Sequence, residues 1–397
     1  MRVIEEPWQA TADLRDAEAV ITQARYRQHR HRLLIAIVML GGLIVGAASY
    51  AVVSSPSGQL RDTSTLSATW SISVAQSRLF VSPRHPYGLA VGPNGDLFII
   101  DSGRDQILRH LPSGKFHVVA GDGKRGYSGD GGPAVQAKLQ LENNSGLAIA
   151  RNGTVYFSDT GNGRVREVLP NGIIKTVAGG GTKTIGQGSL PALRVSFSKQ
   201  FSVAGLAIAP DGELYIAAGD VYRLGPGGIL HWVIGKRVFP KNWGGVYSNP
   251  AAQIDFTSPQ RLAFDGNGDL LVAGGGGWGL YEMTKRGRLR FVAFFRGDGF
   301  WGSLAERPGG SVVLSERSGI FQFSPSGTIK ATGPSPSAID APLRTPHWNS
   351  IFIGGDGVAV SGNGDIYVDT NTGNTFTSVS AILELRPSGK VVTLWRS

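Results

Sequence analysis

Three aspartates at matching places in the chain have the residue type and the setting for acid–base chemistry. Asp101, Asp159 and Asp369 each end a short apolar run, in the strings LFIID, VYFSD and IYVD, and Arg104 and Arg164 follow the first two. A carboxylate beside a guanidinium could serve catalysis, but its return at equivalent places favours a structural device in which Asp accepts hydrogen bonds from loop amides. We therefore predict that these aspartates are structural.

The glycine-rich string GDGKRGYSGDGGP at residues 121–133 contains two patterns known from ligand sites. Its first part matches GxGxxG, but the dinucleotide-binding pattern must open a helix, and SGDGGP cannot begin one. Asp130 could coordinate calcium, although the spacing is not that of a helix–loop–helix calcium site. We predict that Asp130 accepts hydrogen bonds from turn amides, and that the chain uses no cofactor, with calcium the one ion left open.

A phrase that returns six times predicts the architecture. It reads GLAVGPNGDLFII from Gly88, GLAIARNGTVYFS from Gly146, GLAIAPDGELYIA from Gly205, RLAFDGNGDLLVA from Arg261, SLAERPGGSVVLS from Ser303 and GVAVSGNGDIYVD from Gly357. Each phrase is a strand, a tight turn and a second strand, and two further short strands complete the unit. Four antiparallel strands per unit form one blade, and such a repeat indicates a β-propeller. The predicted fold class is all-β, a six-bladed β-propeller of four-stranded antiparallel blades, preceded by a single transmembrane helix.

Strand alternation assigns the loops of this propeller to two faces. The first-to-second and third-to-fourth turns share the turn face, whereas the second-to-third loops and the blade-to-blade connections share the connection face. Long loops on a rigid scaffold commonly carry binding residues, and Trp and Arg are frequent interface anchors. We therefore predict a ligand site on the connection face formed by Trp243, Trp278, Trp301, Trp348, Arg296 and Arg344. The alternative is that these Trp residues fold inward and plug the channel.

The net charge of the chain indicates which kind of partner it favours. The formal net charge is +10, which favours anionic surroundings such as acidic polymers or lipid head groups. The expected ligand is a protein or an anionic cell-surface glycan, and no nucleic-acid partner is expected.

The histidines are too scattered to predict a metal centre. Beyond Val53 they are His85, His110, His117, His231 and His347, and none belongs to an HExxH pattern. Three fall on predicted outer strands, which leaves His85 and His347 as the candidates near the channel. No nucleophile motif is present, and with 0 Cys no disulfide or thiolate cluster can form. We expect a binding or sensor protein rather than an enzyme; the alternative is a metal-dependent lyase or hydrolase that uses channel residues.

Two segments resemble the NHL repeat family. They are YFSDTGNGRVREVLPNGIIKTVAG from Tyr156 and GDGKRGYSGDGGPAVQAKLQ from Gly121. The resemblance covers about residues 83–395, and it weakens in the fourth and fifth units, where the Asp-x-Gly-Asn-x-Arg string is missing. It implies a propeller that binds proteins or other ligands, in some members as the exterior sensor of a bacterial receptor kinase. In a minority of members it implies an enzyme, notably a metal-dependent lyase.

Residues 33–53, LLIAIVMLGGLIVGAASYAVV, carry no charge and are long enough to span a bilayer as a helix. Four arginines immediately precede this run and the next basic residue is Arg61, so the N-terminus is predicted to lie in the cytoplasm. A cleaved signal peptide is the alternative, which the long charged segment before the run disfavours. The predicted organisation is a cytoplasmic segment (1–32), a signal-anchor helix (33–53), an extracytoplasmic stalk (54–82) and the propeller (83–397), held in the cell membrane as a single-pass protein.

Overall fold

The structure, a computed structural model, describes residues 80–186, 188–197, 203–234, 259–274, 279–294, 302–316, 319–324, 329–331, 357–372 and 379–396. All of them belong to one compact unit, Ser73–Ser397. The predicted cytoplasmic segment and signal-anchor helix lie outside the described residues, as does the stalk up to residue 79. Within the described ranges, no helix is both long and apolar enough to cross a membrane.

The described strands form six antiparallel sheets, which confirms the predicted six-bladed propeller. Blade 1 consists of β1 (Phe80–Val81), β2 (Pro86–Val91), β3 (Leu97–Asp101), β4 (Gln106–His110) and β5 (Phe116–Ala120), and blade 2 of β6 (Leu147–Ile149), β7 (Val155–Asp159), β8 (Arg164–Val168) and β9 (Ile174–Gly179). Blade 3 consists of β10 (Ser189–Pro191), β11 (Gly205–Ile208), β12 (Leu214–Ala218), β13 (Asp220–Gly225) and β14 (Ile229–Ile234). Blade 4 consists of β15 (Pro259–Phe264), β16 (Leu270–Gly274), β17 (Gly279–Met283) and β18 (Leu289–Phe294). Blade 5 consists of β19 (Ser303–Glu306), β20 (Val312–Glu316), β21 (Gly319–Phe323) and β22 (Ile329–Ala331), and blade 6 of β23 (Val358–Val360), β24 (Ile366–Thr372), β25 (Val379–Leu385) and β26 (Val391–Arg396).

The innermost strands of the six blades close a ring. Each of β2, β6, β11, β15 and β19 contacts the innermost strand of the next blade, and β23 contacts β2. Glycine at the start of these strands permits the close approach of neighbouring backbones. A Cβ on Gly205 would lie 2.6 Å from the carbonyl oxygen of Gln260, and one on Gly357 would lie 2.9 Å from the backbone nitrogen of Leu89. The glycine of the repeated phrase is therefore a packing requirement of the ring.

Apolar side chains fill the space between neighbouring blades. Strands β3 and β16 are buried along their whole length, as expected for strands covered on both faces. Six apolar clusters each combine residues of two adjacent blades. The cluster of blades 6 and 1 contains Ile99 and Ile382, both 0% exposed, so the ring is closed by the same kind of core that joins the other blades.

Two blades have a fifth strand that the repeat did not predict. The prediction that blade 6 supplies its own outer strand is confirmed, because β26 pairs with β25. The chain before blade 1 instead adds β1 to the outer edge of that blade, where Phe80 pairs with His117. Strand β10 covers the outer edge of blade 3 in the same way. Both additions satisfy backbone groups of an otherwise open edge strand.

Candidate functional site

The six side chains predicted as ligand anchors, Trp243, Trp278, Trp301, Trp348, Arg296 and Arg344, lie outside the described residues. Their role stays a prediction. The described part of the connection face is richest in the first two blade-to-blade connections. We call residues 121–145 the first insertion, and residues 180–186 with 188–197 the second insertion.

The buried aspartates join the loops of the connection face to one another. In blade 1 the backbone N–H groups of Arg84 and His85, which precede β2, donate to Asp101 at 3.0 Å each. In blade 2 the backbone N–H of Gln140, in the first insertion, donates to Asp159 at 2.7 Å. The predicted sharing of one face by connections and second-to-third loops is confirmed for these two blades.

The predicted hydrogen bonds from backbone amides to the three recurring aspartates are also confirmed. Asp101 and Asp159 are completely buried. Burial raises the pKa of both carboxyl groups, and the backbone hydrogen bonds to each act against that shift. Asp369 accepts the backbone N–H of Gly357 at 2.9 Å, which ties the second strand of blade 6 to the start of the first.

The arginine beside Asp159 is not the one that the sequence pattern indicated. Arg104 does lie near Asp101, with 3.8 Å between Nε and Oδ2. In blade 2, however, Arg166 lies near Asp159, at 3.5 Å, and the pairing suggested for Arg164 is wrong. Arg164 instead places its guanidinium 3.9 Å from the ring centre of Tyr127.

Arg166 belongs to β8, is 0% exposed, and has its guanidinium enclosed by residues of the first insertion. Its Nη2 donates to the carbonyl of Ser128 at 2.8 Å and to Asp130 at 2.7 Å. Its Nη1 donates to the carbonyl of Lys138 at 3.2 Å as well as to Asp159. The insertion is thus folded around a buried cation. The strand RVREV has three charged residues, and its sequence does not indicate that Arg166 is the buried cation, because the partners of Arg166 lie up to 38 residues away.

Asp130 differs from its prediction. Its two carboxylate oxygens accept from Arg166 and from the hydroxyl of Tyr127, at 2.7 and 2.9 Å, rather than from turn amides. Burial raises its pKa, but hydrogen bonds involving Thr176, Arg166 and Tyr127 outweigh burial and leave the pKa below its usual value. Asp130 therefore acts as a counter-ion, because an arginine at this distance occupies the position that a bound cation would need.

The two insertions meet at Arg164. A Cβ on Gly180 of the second insertion would lie 2.7 Å from Cζ of Arg164, so the guanidinium packs on this glycine as well as on Tyr127. Tyr127 is 43% exposed, which is unusual for a large side chain in this fold. The guanidinium groups of Arg164 and Arg166 lie 3.9 and 5.1 Å from its ring centre, and these cation–π contacts hold the ring in place.

The two insertions that meet beside this ring are rich in basic residues. The exposed basic residues of the two insertions are Lys124, Arg125, Lys138, Lys183 and Arg194. Their acidic neighbours are Asp122, Asp130 and Glu142, of which Asp130 neutralises the buried Arg166 and Glu142 lies 3.9 Å from Arg125. We call Tyr127, Arg164, Lys138, Lys183 and Arg194 the Tyr127 surface. Its electrostatic character is positive, and its one large apolar element is a ring held in a fixed place.

A second polar site lies on the ring axis. A cavity of about 400 Å³, including open solvent, is lined by the starts of five innermost strands: Gly88, Leu89, Ser145, Gly146, Leu147, Ala204, Gly205, Leu206, Arg261, Leu262, Ser303 and Leu304. Arg261 is the only ionisable residue in that lining. Its Nη2 donates to the hydroxyl of Tyr87 on blade 1 at 3.1 Å, and its Nη1 donates to the carbonyls of Ala204 and Gln260 at 3.1 and 3.0 Å. Sequence reasoning missed this residue, although Arg at the glycine position of the fourth phrase was visible.

The described histidines do not line this cavity. His85 is exposed on the connection face and packs beside Gly103, whose Cβ would lie 2.6 Å from the imidazole. His110, His117 and His231 are on the third and fourth strands, as predicted. His347 lies outside the described residues.

One group of carboxylates on the turn face could hold a metal ion. Asp265, Asp269 and Glu282 offer ligand atoms that lie within 4.8 Å of one another. Part of this group is already engaged, because Asp265 accepts the backbone N–H groups of Asn267 and Asp269 at 2.9 Å each. Glu282 accepts a hydrogen bond from Nε of Arg290.

No protein-family model matches the chain. Among curated proteins, Teneurin-3 of Mus musculus is 36% identical over 153 residues, and Teneurin-3 of Danio rerio is 33% identical over 153 residues. Each match covers 35% of this chain, and the chain spans only 5% of the length of these relatives.

Solved structures with a similar course of the chain have low sequence identity to it. A virginiamycin B lyase from Staphylococcus aureus has 13% identity and a TM-score of 0.47, over 79% of this chain and 86% of that one. The calcium-binding protein regucalcin from Agrobacterium tumefaciens has 14% identity and a TM-score of 0.40, over 63% of this chain and 72% of that one. A gluconolactonase from Xanthomonas campestris has 15% identity and a TM-score of 0.39, over 63% and 74%.

Proposed function

We propose that this chain is a membrane-anchored binding propeller of the NHL-repeat type, which presents its connection face outside the cell to an anionic glycan. In this proposal residues 33–53 anchor the chain and the propeller stands extracytoplasmically, as a sensor or capture module. The proposal rests on the charge of the chain, on the uncharged 21-residue run, and on the Tyr127 surface.

The observation that carries the proposal is the pair of Tyr127 and Arg164. The guanidinium of Arg164 lies 3.9 Å from the ring centre and donates to the carbonyl of Asn162 at 2.7 Å. No carboxylate forms an ion pair with it among the described residues. A guanidinium that keeps its charge next to an exposed aromatic ring suits a sugar carrying a carboxylate or sulfate group, because the ring can stack on the sugar while the cation pairs with the acid.

The rigidity of the surface supports binding rather than a loose loop. The first insertion is fixed from within by Arg166, and the second insertion is fixed by a hydrogen bond from the backbone N–H of Gly181 to Val195 at 2.9 Å. Residues held in place before the ligand arrives lose less conformational entropy on binding, which raises affinity.

Binding of the full chain in detergent micelles to heparin and to polygalacturonate, with neutral dextran as the control polymer, tests this proposal. We expect binding to both acidic glycans, and a fall in affinity as salt rises. Arg164→Gln should weaken binding by about 10–100-fold, since charge-assisted contacts contribute about 1.5–3 kcal/mol. Tyr127→Leu should weaken binding by up to about tenfold, because the stacking surface is lost. Lys115→Gln, on the turn face, removes one charge as well and should leave binding unchanged. Equal binding of dextran, or equal loss in the Lys115 variant, would refute the proposal.

The same binding assay tests two of the tryptophans predicted as ligand anchors. Trp301→Ala and Trp348→Ala should each cost about 2 kcal/mol or more if these residues are genuine hot spots of the connection face. Wild-type binding by both folded variants would restrict the ligand site to the Tyr127 surface.

If the chain holds a divalent cation such as calcium, we propose Asp265, Asp269 and Glu282 as its ligands rather than Asp130. Three carboxylates converge at this site and carboxylate oxygens suit calcium, whereas Asp130 is a single carboxylate paired with Arg166. A calcium ion bound there would displace Arg290 from Glu282. Calcium should then raise the melting temperature of the wild type and of Asp130→Asn, but not that of Asp269→Asn. An equal calcium response in all three proteins would place the ion elsewhere.

A further inference from the structure

We propose that the central cavity binds one small monocarboxylate on the guanidinium of Arg261. This site is separate from the Tyr127 surface and does not depend on the proposed glycan. The position of Arg261, its unused hydrogen-bond donors and the composition of the cavity support it.

Arg261 breaks the symmetry of the ring. At the equivalent place the other five phrases have Gly88, Gly146, Gly205, Ser303 and Gly357. The side chain of Arg261 crosses from blade 4 to Tyr87 on blade 1, which is the opposite blade in a ring of six. Gly88, Gly146 and Gly205 line the same cavity as Arg261. One cation at one of six equivalent places predicts one ligand with one charge, rather than a repeated site.

The hydrogen bonds of Arg261 leave donors for a ligand. A guanidinium has five N–H donors. The described partners use three: the carbonyls of Ala204 and Gln260, and the hydroxyl of Tyr87. The remaining two, on Nε and on Nη2, have no hydrogen-bond partner within the described residues. All three partners are uncharged oxygens, so they orient the guanidinium without neutralising it.

The remaining donors and the cavity favour a carboxylate. Two N–H groups of one guanidinium match the two oxygens of a carboxylate in the bidentate arrangement. Ser145 and Ser303 are the hydroxyl-bearing residues of the lining, and the other residues apart from Arg261 are glycine, alanine and leucine. Such walls provide little compensation for a second charge, which disfavours phosphate dianions and dicarboxylates. The cavity, about 400 Å³ including open solvent, has room for a small carboxylate.

The fluorine NMR signal of trifluoroacetate, titrated with the full chain in detergent micelles, tests this inference. We expect the line to broaden on binding, and acetate or lactate to displace the probe. Acetamide, which has nearly the shape of acetate without its charge, should not displace it, and neither should chloride at an equal concentration. Arg261→Gln should weaken binding about 10–100-fold, since hydrogen bonds between charged groups are being replaced. Arg223→Gln, on the outer part of blade 3, removes one positive charge and should have no effect.

Three results would overturn the site, and a fourth would overturn the assignment of its ligand as a carboxylate. No broadening with the wild-type chain, unchanged binding by Arg261→Gln, or displacement by acetamide would overturn the site. Displacement by chloride as effective as that by acetate would overturn the carboxylate assignment, because the cavity would then hold an adventitious ion only. The competition series uses the wild-type chain, so it decides the question even if Arg261→Gln does not fold.

Discussion

Replacement of Arg166 by methionine should destabilise the propeller more than any exposed ion pair could. The guanidinium is 0% exposed and donates to two backbone carbonyls and two carboxylates. Methionine keeps an unbranched apolar chain of similar length, so the cavity left behind is small. The loss therefore measures the buried charge and its hydrogen bonds.

The structure sets the expected size of the effect. Removal of one partner of a buried ion pair costs about 3–5 kcal/mol, because the remaining charge has no compensation. Asp159 is the partner that remains buried, at 0% exposure, and its protonation limits the loss. At about 2–4 °C per kcal/mol for a domain near this size, the melting temperature should fall by roughly 6–20 °C.

Burial rather than distance should decide which of the two carboxylates couples more strongly to Arg166 in the free energy of unfolding. Asp130 is the closer partner of Arg166, at 2.7 Å against 3.5 Å, but its side chain is 34% exposed. Partly exposed pairs contribute about 1 kcal/mol or less. In double-mutant cycles with Arg166→Met, we expect a larger coupling energy for Asp159→Asn than for Asp130→Asn.

Urea unfolding of the propeller followed by tryptophan fluorescence provides the measurement. Arg223→Met is the matched control, because Arg223 lies 2.7 Å from Glu213 in a pair that is 37% and 22% exposed. It should change the free energy of unfolding by about 1 kcal/mol at most. The reasoning is refuted if Arg166→Met costs no more than Arg223→Met, or if the coupling to Asp130 exceeds the coupling to Asp159.

Three further predictions concern acid stability, ring closure and topology. The pKa of Asp130 in the folded protein lies below its ordinary 3.8. The difference in the free energy of unfolding between wild type and Asp130→Asn should therefore be largest near neutral pH and vanish as the pH falls through the lowered pKa. A difference that stays constant in acid unfolding curves would contradict this. Gly205→Ala should destabilise by about 1–3 kcal/mol, because its Cβ would lie 2.6 Å from a carbonyl oxygen, whereas Gly186→Ala, with nothing within 4 Å, should be neutral. Protease added to spheroplasts should degrade the propeller if residues 33–53 anchor it with the N-terminus inside; full protection would argue against that topology.

The repeated phrase made most of the fold predictable. Its glycine is required where Gly205 approaches the next blade, and its apolar second strand is required where β3 is covered on both faces. These demands recur in each blade, so they leave a periodic trace in the sequence. The structural role of Asp101 followed from the same recurrence, because a feature repeated in equivalent blades serves the blade.

Features that occur once were harder to predict. The partners of Arg166 are 7 to 38 residues away along the chain, and no local pattern indicates which carboxylate meets which arginine. Arg261 bonds to Tyr87 across a separation of 174 residues, and only the closed ring brings them together. Strands β1 and β10 pair with the outermost strands of blades 1 and 3, so their pairing depends on tertiary structure rather than on their own short sequences.

Hydrogen–deuterium exchange on the full chain, with and without heparin, tests the proposed function most directly. We expect heparin to slow exchange in the first insertion, residues 121–145, and in residues 180–197 of the second. Exchange in turns of the opposite face that are not hydrogen-bonded to either insertion, such as residues 111–115 and 284–288, should stay unchanged. Protection confined to those turns, or no protection at a heparin concentration that saturates binding, would contradict the claim that the connection face holds the ligand.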